Sequence, residues 1–198
     1  MSVPQDTFHN LSQDKKQRIF QAAVKEFASR RFSEASINQI IKAAGIPRGS
    51  FYQYFTGKED IFAYMFQEIL REKREVLKNA SFDLEQDVFE LTVQSTQFTL
   101  EWSKSKPEYN HISMLMELDN SDFISQLRND STKPLRALIE RDKARGFIKA
   151  EVDTDLIIDM IYALILKEYT WNGIEENLYI EKIRSVIKVI KEGVAINQ

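Results

Sequence analysis

The chain has 198 residues, a formal net charge of −3 and no cysteine. Hydrophobic residues make up 43% of it and charged residues 29%, a balance typical of a soluble globular protein. The absence of cysteine excludes disulfides, thiolate metal sites and cysteine nucleophiles. The first residues contain no apolar stretch of the kind found in secretory signals, so we expect a cytoplasmic protein.

The charges are unevenly distributed along the chain. Residues 1–60 contain nine Lys or Arg and six Asp or Glu, so their net charge is +3 and that of the remaining residues is −6. A basic region joined to an acidic one is typical of a DNA-binding domain fused to a second domain. With only 6 Gly and 4 Pro, the chain has too few turn formers for an all-β protein, and helix is favoured throughout.

The first predicted helix begins after Ser12, a good N-cap residue, and runs to about Arg31. We expect the residues before Ser12 to form a mobile terminus. One face of the helix is apolar at helical spacing, with Ile19, Phe20, Ala23, Val24 and Phe27.

Two short helices with a tight turn between them follow. Ser36 and Gln39 have the spacing of a capping box at the start of the first. Gly45 suits the positive φ at which a helix ends, and Pro47 suits the first turn of a second helix that reaches about Tyr54. A helix, a glycine-containing turn and a second helix are the sequence form of a helix-turn-helix.

The second short helix carries residues suited to DNA. Arg48, Gly49 and Ser50 lie at its start, where a recognition helix reaches base edges, and Arg48 can bind guanine in a bidentate manner. Glycine inside a helix costs about 1 kcal/mol relative to alanine, which a close approach of the backbone to another surface would explain. Donors suited to phosphate oxygens follow at Tyr52, Tyr54 and Lys58. The alternative for the two tyrosines is packing in a small helical core, which we expect for Phe51 and Phe55.

The segment AGIPRGSFYQYFTGKEDIF, residues 44–62, resembles the signature of TetR-family transcriptional regulators. The matching positions are Gly45, Gly49, Tyr52, Tyr54, Phe55, Lys58 and Glu59. The segment departs from the usual form at Pro47, where Ser is commoner, and at Phe51, where Leu is commoner. The resemblance covers about the first third of the chain. It implies a DNA-facing set made of Ser36, Arg48, Gly49, Tyr52, Tyr54 and Lys58.

The rest of the chain is also predicted to be helical. Thr56 and Glu59 form a second capping-box pattern, which opens a long helix to about Lys78. Further helices are predicted from Asp83 to about 103, and over 107–118, 123–127, 133–145, 154–172 and 176–192. This pattern divides the chain into a DNA-binding domain, 1–56, and an effector-binding and dimerisation domain, 57–198.

The last two predicted helices indicate a homodimer. Residues 156–166, LIIDMIYALIL, are apolar on nearly every face but too few to span a membrane. A helix apolar all round is buried all round, so we expect a second protein surface to cover one side. The predicted interface consists of Ile157, Ile161, Leu164, Ile165, Ile183, Val186, Ile187 and Ile190. The family resemblance implies the same arrangement, and a monomeric bundle core is the alternative.

No pattern of catalytic residues is present. His9 and His111 lie far apart, and no phosphate-binding loop or nucleophile elbow appears, so we predict no catalytic residue, cofactor or metal site. The resemblance implies an effector pocket in the body of the protein. Aromatic and Met residues that could line it for an apolar ligand are Phe62, Met65, Phe66, Phe89, Phe98, Trp102, Met114, Met116 and Tyr162. For each of them, plain core packing is the alternative.

These patterns predict an all-α transcriptional regulator with an N-terminal three-helix helix-turn-helix domain and a C-terminal helical bundle that binds a ligand and dimerises. The expected function is that of a repressor released from a palindromic double-stranded DNA operator by a small apolar ligand. Two alternatives stay open at this point. One is an activator or architectural DNA binder without a small ligand, and the other is a helical adaptor or enzyme.

Overall fold

The computed structural model describes residues 4–80, 82–171 and 176–194, with the side chains of 164–171, 176 and 177 not described. The prediction of an all-α fold is confirmed, since these residues form helices and no strand. The helices are α1 (Asp6–His9), α2 (Gln13–Ser29), α3 (Ile37–Ala44), α4 (Arg48–Tyr54), α5 (Lys58–Asn79), α6 (Val88–Ser103), α7 (Pro107–Glu117), α8 (Asp122–Ala144), α9 (Thr154–Trp171) and α10 (Glu176–Val194). A 3-10 turn, η1 (Phe32–Glu34), lies between α2 and α3. Within the described ranges, no helix combines the length and the apolar character needed to cross a membrane.

The helices form two compact units. The N-terminal unit contains Met1–Val76 and Trp102–Gln126, and the C-terminal unit contains Leu77–Glu101 and Leu127–Gln198. The N-terminal unit is larger than the predicted DNA-binding domain, because α7 packs on α2 and most of α5 is part of the same unit. The functional division after residue 56 stays a prediction.

The helix-turn-helix forms as the sequence predicts. Ser12 caps α2, with its side chain accepting a hydrogen bond from the Lys15 N–H at 3.4 Å. Gly45 has a φ of 64°, so it ends α3 in the left-handed conformation that glycine adopts without strain. Pro47 is the N-cap residue of α4, which therefore begins at Arg48.

The prediction of two capping boxes is wrong, because other residues accept the hydrogen bonds at the start of each helix. The Ser36 side chain makes no cap bond, and its N–H donates to the Glu26 carboxylate of α2 at 2.9 Å. At the start of α5, the Thr56 N–H donates to Asp60 at 2.8 Å, so the partner is one residue later than the predicted Glu59. A buried carboxylate stabilises the start of each helix in place of the predicted residue.

Residues 4–11 do not form the mobile terminus that we expected before Ser12. They contain α1, and its Phe8 is only 2% exposed. The Phe8 ring lies 5.0 Å from the Phe55 ring and 4.8 Å from the Tyr64 ring, measured between centroids. Burying a phenylalanine contributes about 1.5–3 kcal/mol toward ordering this segment.

Aromatic rings form a large part of the core of the N-terminal unit. The Phe62 ring of α5 lies edge-on to Phe27 of α2 at 4.7 Å and to Phe32 of η1 at 5.3 Å. Phe51 and Phe55 are fully buried, as the sequence predicts. These contacts fix α2, η1 and α4 on the first turns of α5.

Two helix boundaries in the second half differ from the sequence prediction. Helix α6 begins at Val88, later than the predicted Asp83, because the Asp87 carboxylate accepts two N–H groups of the first turn at 2.9 and 3.0 Å. The predicted helices at 123–127 and 133–145 are one helix, α8, which continues through Pro134. Packing along α8 outweighs the cost of an internal proline, about 3 kcal/mol.

The core of the C-terminal unit is built largely from isoleucines of α9 and α10. The buried members from these helices include Ile157, Ile158, Ile161, Ile183, Ile187 and Ile190. Val186 is partly buried and packs against them. Five residues of the predicted dimer interface are thus buried within their own chain. Leu164 and Ile165, also predicted for that interface, lie outside the residues whose side chains are described.

Candidate nucleic-acid interface

The exposed surface of α3 and α4 is positively charged, which suits contact with DNA. Residues 36–58 contain no Asp or Glu and three basic residues, Lys42, Arg48 and Lys58. Lys42 and Arg48 are exposed. A surface without carboxylates avoids repulsion of phosphates, so it suits close contact with a nucleic acid.

Arg48 is held in place at the start of α4 but remains accessible. One of its terminal nitrogens donates to Asn38 Oδ1 of α3 at 2.6 Å, and the other lies 3.5 Å from the Tyr52 hydroxyl. The guanidinium carbon lies 5.6 Å from the centre of the Tyr52 ring. A guanidinium has five N–H donors, so several remain for a base edge. Asn38 was missed from the sequence, because its only signal is its exposed position on α3 opposite Arg48.

Gly49 has no structural requirement for glycine within the chain. A Cβ built on Gly49 would have no atom within 4 Å, and its φ is not positive. Ser50 beside it is half-buried. The propensity cost of glycine in this helix is therefore not offset by any contact in the described structure.

The two tyrosines predicted to contact phosphates occupy different environments. Tyr52 is 42% exposed, which is compatible with that prediction. Tyr54 is only 5% exposed, and its ring packs 6.1 Å from that of Phe8. Its hydroxyl accepts a hydrogen bond from Lys15 Nζ at 3.0 Å. Tyr54 therefore packs in the core, which was the alternative to a phosphate contact. A phosphate contact by Tyr52 stays a prediction.

Lys58 holds the chain segment before α3. Its ammonium donates to the carbonyls of Ser33 at 3.1 Å and Ala35 at 3.2 Å, and lies 4.8 Å from the centre of the Phe32 ring. Two of its three donors are therefore used within the protein, which leaves one for a phosphate. Ser36, predicted to face DNA, is half-buried at the start of α3.

Asp119, after α7, fixes the same segment from the other side. It is 2% exposed and accepts the N–H groups of Ser33 at 2.8 Å and Ser121 at 3.0 Å. Burial alone would raise the pKa of Asp119, but these hydrogen bonds favour the carboxylate and lower its pKa to about 2. The turn η1 is thus held by Lys58 on its carbonyls and by Asp119 on an N–H. The contact of Asp119 with Ser33 was not predictable from the sequence, because the two residues are 86 positions apart.

The residues predicted to line an effector pocket fall into both units. Buried in the N-terminal unit are Phe62, Met65, Phe66 and Met116. In the same unit Met114 is half-buried, and Trp102 lies 5.6 Å from the Tyr109 ring. Phe89 lies in the C-terminal core with Tyr162 packed against that core. Phe98, also predicted to line a pocket, is 45% exposed and contacts Phe82.

Comparisons with known proteins agree with this surface. Residues 19–65 match the family model of the bacterial regulatory proteins of the tetR family. Over 177 residues the chain is 23% identical to a probable acrEF/envCD operon repressor of Escherichia coli (strain K12), covering 83% of this chain and 80% of that protein.

Solved structures resemble the whole chain. A TetR family transcriptional regulator from Chloroflexus aurantiacus J-10-FL has a TM-score of 0.72 at 22% identity, covering 99% of this chain and 100% of that one. The transcriptional regulator FadR from Bacillus subtilis, in complex with stearoyl-CoA, has a TM-score of 0.68 at 19% identity, covering 90% and 98%. The matched segment contains α3, α4 and the start of α5, which are the elements that build the surface around Arg48. Residues 19–65 are therefore those of a TetR-family helix-turn-helix domain, and the fold of the whole chain is that of TetR-family transcriptional regulators.

Proposed function

We propose that this protein is a ligand-responsive repressor that binds a palindromic operator as a homodimer. The observation that carries the proposal is the exposed, carboxylate-free face of α3 and α4, on which Asn38 and Tyr52 orient the Arg48 guanidinium. Arg48 lies at the start of α4, where the recognition helix of a helix-turn-helix contacts base edges. The similar Escherichia coli protein carries the name of an operon repressor, which supports repression over activation.

The dimer is proposed to form through the exposed apolar faces of α9 and α10. On α9, Leu156, Met160 and Ala163 lie at i, i+4 and i+7, and Leu156 is 53% exposed. On α10, Leu178 and Val189 share a face and are 51% and 69% exposed. Two such helix pairs related by a twofold axis would form an isologous four-helix interface. Among the residues predicted from the sequence to form the dimer interface, the partly buried Val186 could take part alongside these exposed residues. The predicted Leu164 and Ile165 lie outside the side chains that are described.

The effector is proposed to combine an apolar chain with an acidic group. Phe66, Ile69 and Lys73 lie at i, i+3 and i+7 on the inward face of α5, where Phe66 and Ile69 are buried. Lys73 is half-buried, and within the described residues its ammonium has no hydrogen-bond or ion-pair partner. Burial lowers the pKa of Lys73 because desolvation disfavours its charged form. A carboxylate or phosphate on the effector would supply the missing partner.

A relative's ligand has the same chemistry. Stearoyl-CoA, which is bound to the similar FadR of Bacillus subtilis, has a long apolar chain and phosphates. Induction requires the effector to bind the DNA-incompetent state more tightly than the DNA-bound state. Asp119 offers a route for this coupling inside the N-terminal unit, because it joins the end of α7 to the turn before α3.

The experiment that tests this proposal is a gel shift with the promoter region of the protein's own gene. We expect wild-type protein to bind that DNA and stearoyl-CoA to release it, whereas stearyl alcohol, which has no acidic group, releases it at least about tenfold less readily. The variant Lys73→Met should bind DNA normally but respond poorly to stearoyl-CoA, Lys73→Arg should keep the response, and Lys78→Met on the same helix is the matched control. Equal release of wild type and Lys73→Met would exclude Lys73 from the effector site.

A further inference from the structure

We propose that residues 4–9, which precede the family-matched segment, form a clamp that positions the recognition helix α4. This clamp consists of the backbone at Gln5 and the side chains of Thr7 and Phe8. It lies outside residues 19–65, so the family match assigns it no role. The inference rests on the proposed DNA-binding function, because its test measures binding to DNA.

The clamp binds the end of α4 directly. The Gln5 N–H donates to the Tyr54 carbonyl at 2.9 Å, and the Thr7 hydroxyl donates to the Gln53 carbonyl. The last carbonyls of any helix lack partners within that helix, so they must be satisfied from outside. In this protein two of these carbonyls on α4 are satisfied by the segment that contains α1.

An aromatic contact holds the clamp against the same end of α4. The Phe8 ring is edge-on to Tyr54 at 6.1 Å and lies 5.0 Å from Phe55, the residue that follows α4. Lys15 and Lys16 of α2 also contact the two ends of this packing. Lys15 Nζ donates to the Tyr54 hydroxyl at 3.0 Å, and Lys16 Nζ donates to the His9 carbonyl at 2.8 Å.

Helix α4 depends on such contacts for its orientation. It has only 7 residues, and an isolated helix of that length is not stable in water. Arg48 and Tyr54, its first and last residues, are separated by about 9 Å along the axis, so a tilt at the clamped end displaces Arg48 relative to a base edge. The clamp therefore acts through Arg48 and need not contact DNA itself.

The test compares variants of the full-length protein in binding to its operator and to DNA of scrambled sequence at one salt concentration. Thr7→Val removes one hydrogen bond to the end of α4, and we expect it to weaken operator binding about 3- to 10-fold. Phe8→Ala should weaken it further, and Phe8→Leu should restore most of the binding. Asn10→Ala, an exposed residue at the end of α1, is the matched control and should bind as wild type.

Three further readouts separate positioning from general stability. Binding to scrambled DNA depends on phosphate contacts, so we expect it to change less than about twofold in every variant. Hydrogen exchange of the α4 amides should be faster in Thr7→Val and unchanged in Asn10→Ala. The midpoint of thermal unfolding identifies a variant that fails to fold. If Phe8→Ala fails to fold, the proposal is tested with Thr7→Val alone. Operator binding and α4 exchange at wild-type levels in folded Thr7→Val would overturn the proposal, whereas wild-type protein that binds no DNA would instead contradict the function.

Discussion

The exposed faces of α3–α4 and of α9–α10 present opposite chemistry to solvent. The first is polar and without carboxylates, and its Arg48 is oriented by two neighbours but keeps unused donors. The second carries exposed aliphatic side chains among charged ones, and Leu178 and Val189 are more than half exposed. Unused hydrogen-bond donors match phosphates and base edges, whereas exposed aliphatic side chains gain free energy only by contact with another apolar surface.

In the proposed function, the two faces have different partners but act together. A single recognition helix contacts a few base pairs, so its affinity for DNA is limited. Joining two such helices through a protein interface makes the second contact intramolecular and raises the affinity about 10²- to 10⁴-fold. In the proposed dimer, the apolar face of α9–α10 would therefore determine how tightly the polar face of α3–α4 can bind.

The largest expected effect comes from breaking the apolar face. Val189→Glu and Leu178→Glu place charges at exposed positions, so each chain should still fold while the dimer dissociates. We expect operator affinity to fall about 10²-fold or more. Sedimentation and gel shift measure the two effects. Leu84→Glu, which is 66% exposed on another segment, is the matched control, and a Val189→Glu dimer with full affinity would remove this face from the interface.

The next effect comes from the polar face. Arg48→Ala should cost about 1–3 kcal/mol of binding and relax specificity at one base pair of each half-site. Lys42→Ala, an exposed basic residue on α3, should instead weaken binding to all sequences alike and reduce the salt dependence. Competition binding with single-base operator variants distinguishes the two outcomes. An Arg48→Ala protein with unchanged specificity would show that Arg48 does not read a base.

A third prediction concerns the support of η1, close to the polar face. The pKa of Asp119 is lowered to about 2, so its carboxylate contributes stability above about pH 4, which is lost as the pH falls through about 2. Asp119→Asn should cost about 1–3 kcal/mol at neutral pH, because an amide offers one acceptor where two N–H groups now donate. Urea unfolding at pH 7 and pH 3 tests this. Equal losses for Asp119→Asn at both values would contradict the role of the carboxylate.

The smallest effect is expected at Gly49, where stability and binding should change in opposite directions. Gly49→Ala should raise the free energy of unfolding by up to about 1 kcal/mol, since the added methyl group meets no atom of the protein. The same methyl group should weaken operator binding if the backbone of α4 approaches DNA closely. Ala43→Gly, exposed on α3, is the matched control for helix propensity. Unchanged operator affinity in Gly49→Ala would place this residue away from the DNA.

Local sequence patterns predicted the polar face better than the apolar one. Gly45 and Pro47 act on their own neighbours, so the turn between α3 and α4 follows from their conformational preferences. Apolar spacing in α9 and α10 correctly indicated burial, but it cannot say whether the covering surface is the same chain or a second one. Ile161 and Ile183 are accordingly buried in their own core.

Contacts between distant residues were not predictable from the sequence. Glu26 takes the place predicted for Gln39 as the acceptor of the Ser36 N–H, and Asp119 binds η1 across 86 residues. The Tyr54 hydroxyl is a group that could bind a phosphate, but Phe8 packs on its ring and Lys15 donates to it. Such partners depend on tertiary packing, which neither helix propensity nor motif spacing specifies.

The central claim, that two α4 surfaces act together on DNA, is tested most directly by selecting binding sites from random double-stranded DNA with the purified protein. We expect the selected sequences to contain an inverted repeat whose half-site centres lie about 34–36 Å apart along the helix axis, or a multiple of that distance. Arg48→Ala should lose the preference at one position in each half-site. Selection of no common sequence, or of a single site without symmetry, would contradict the account.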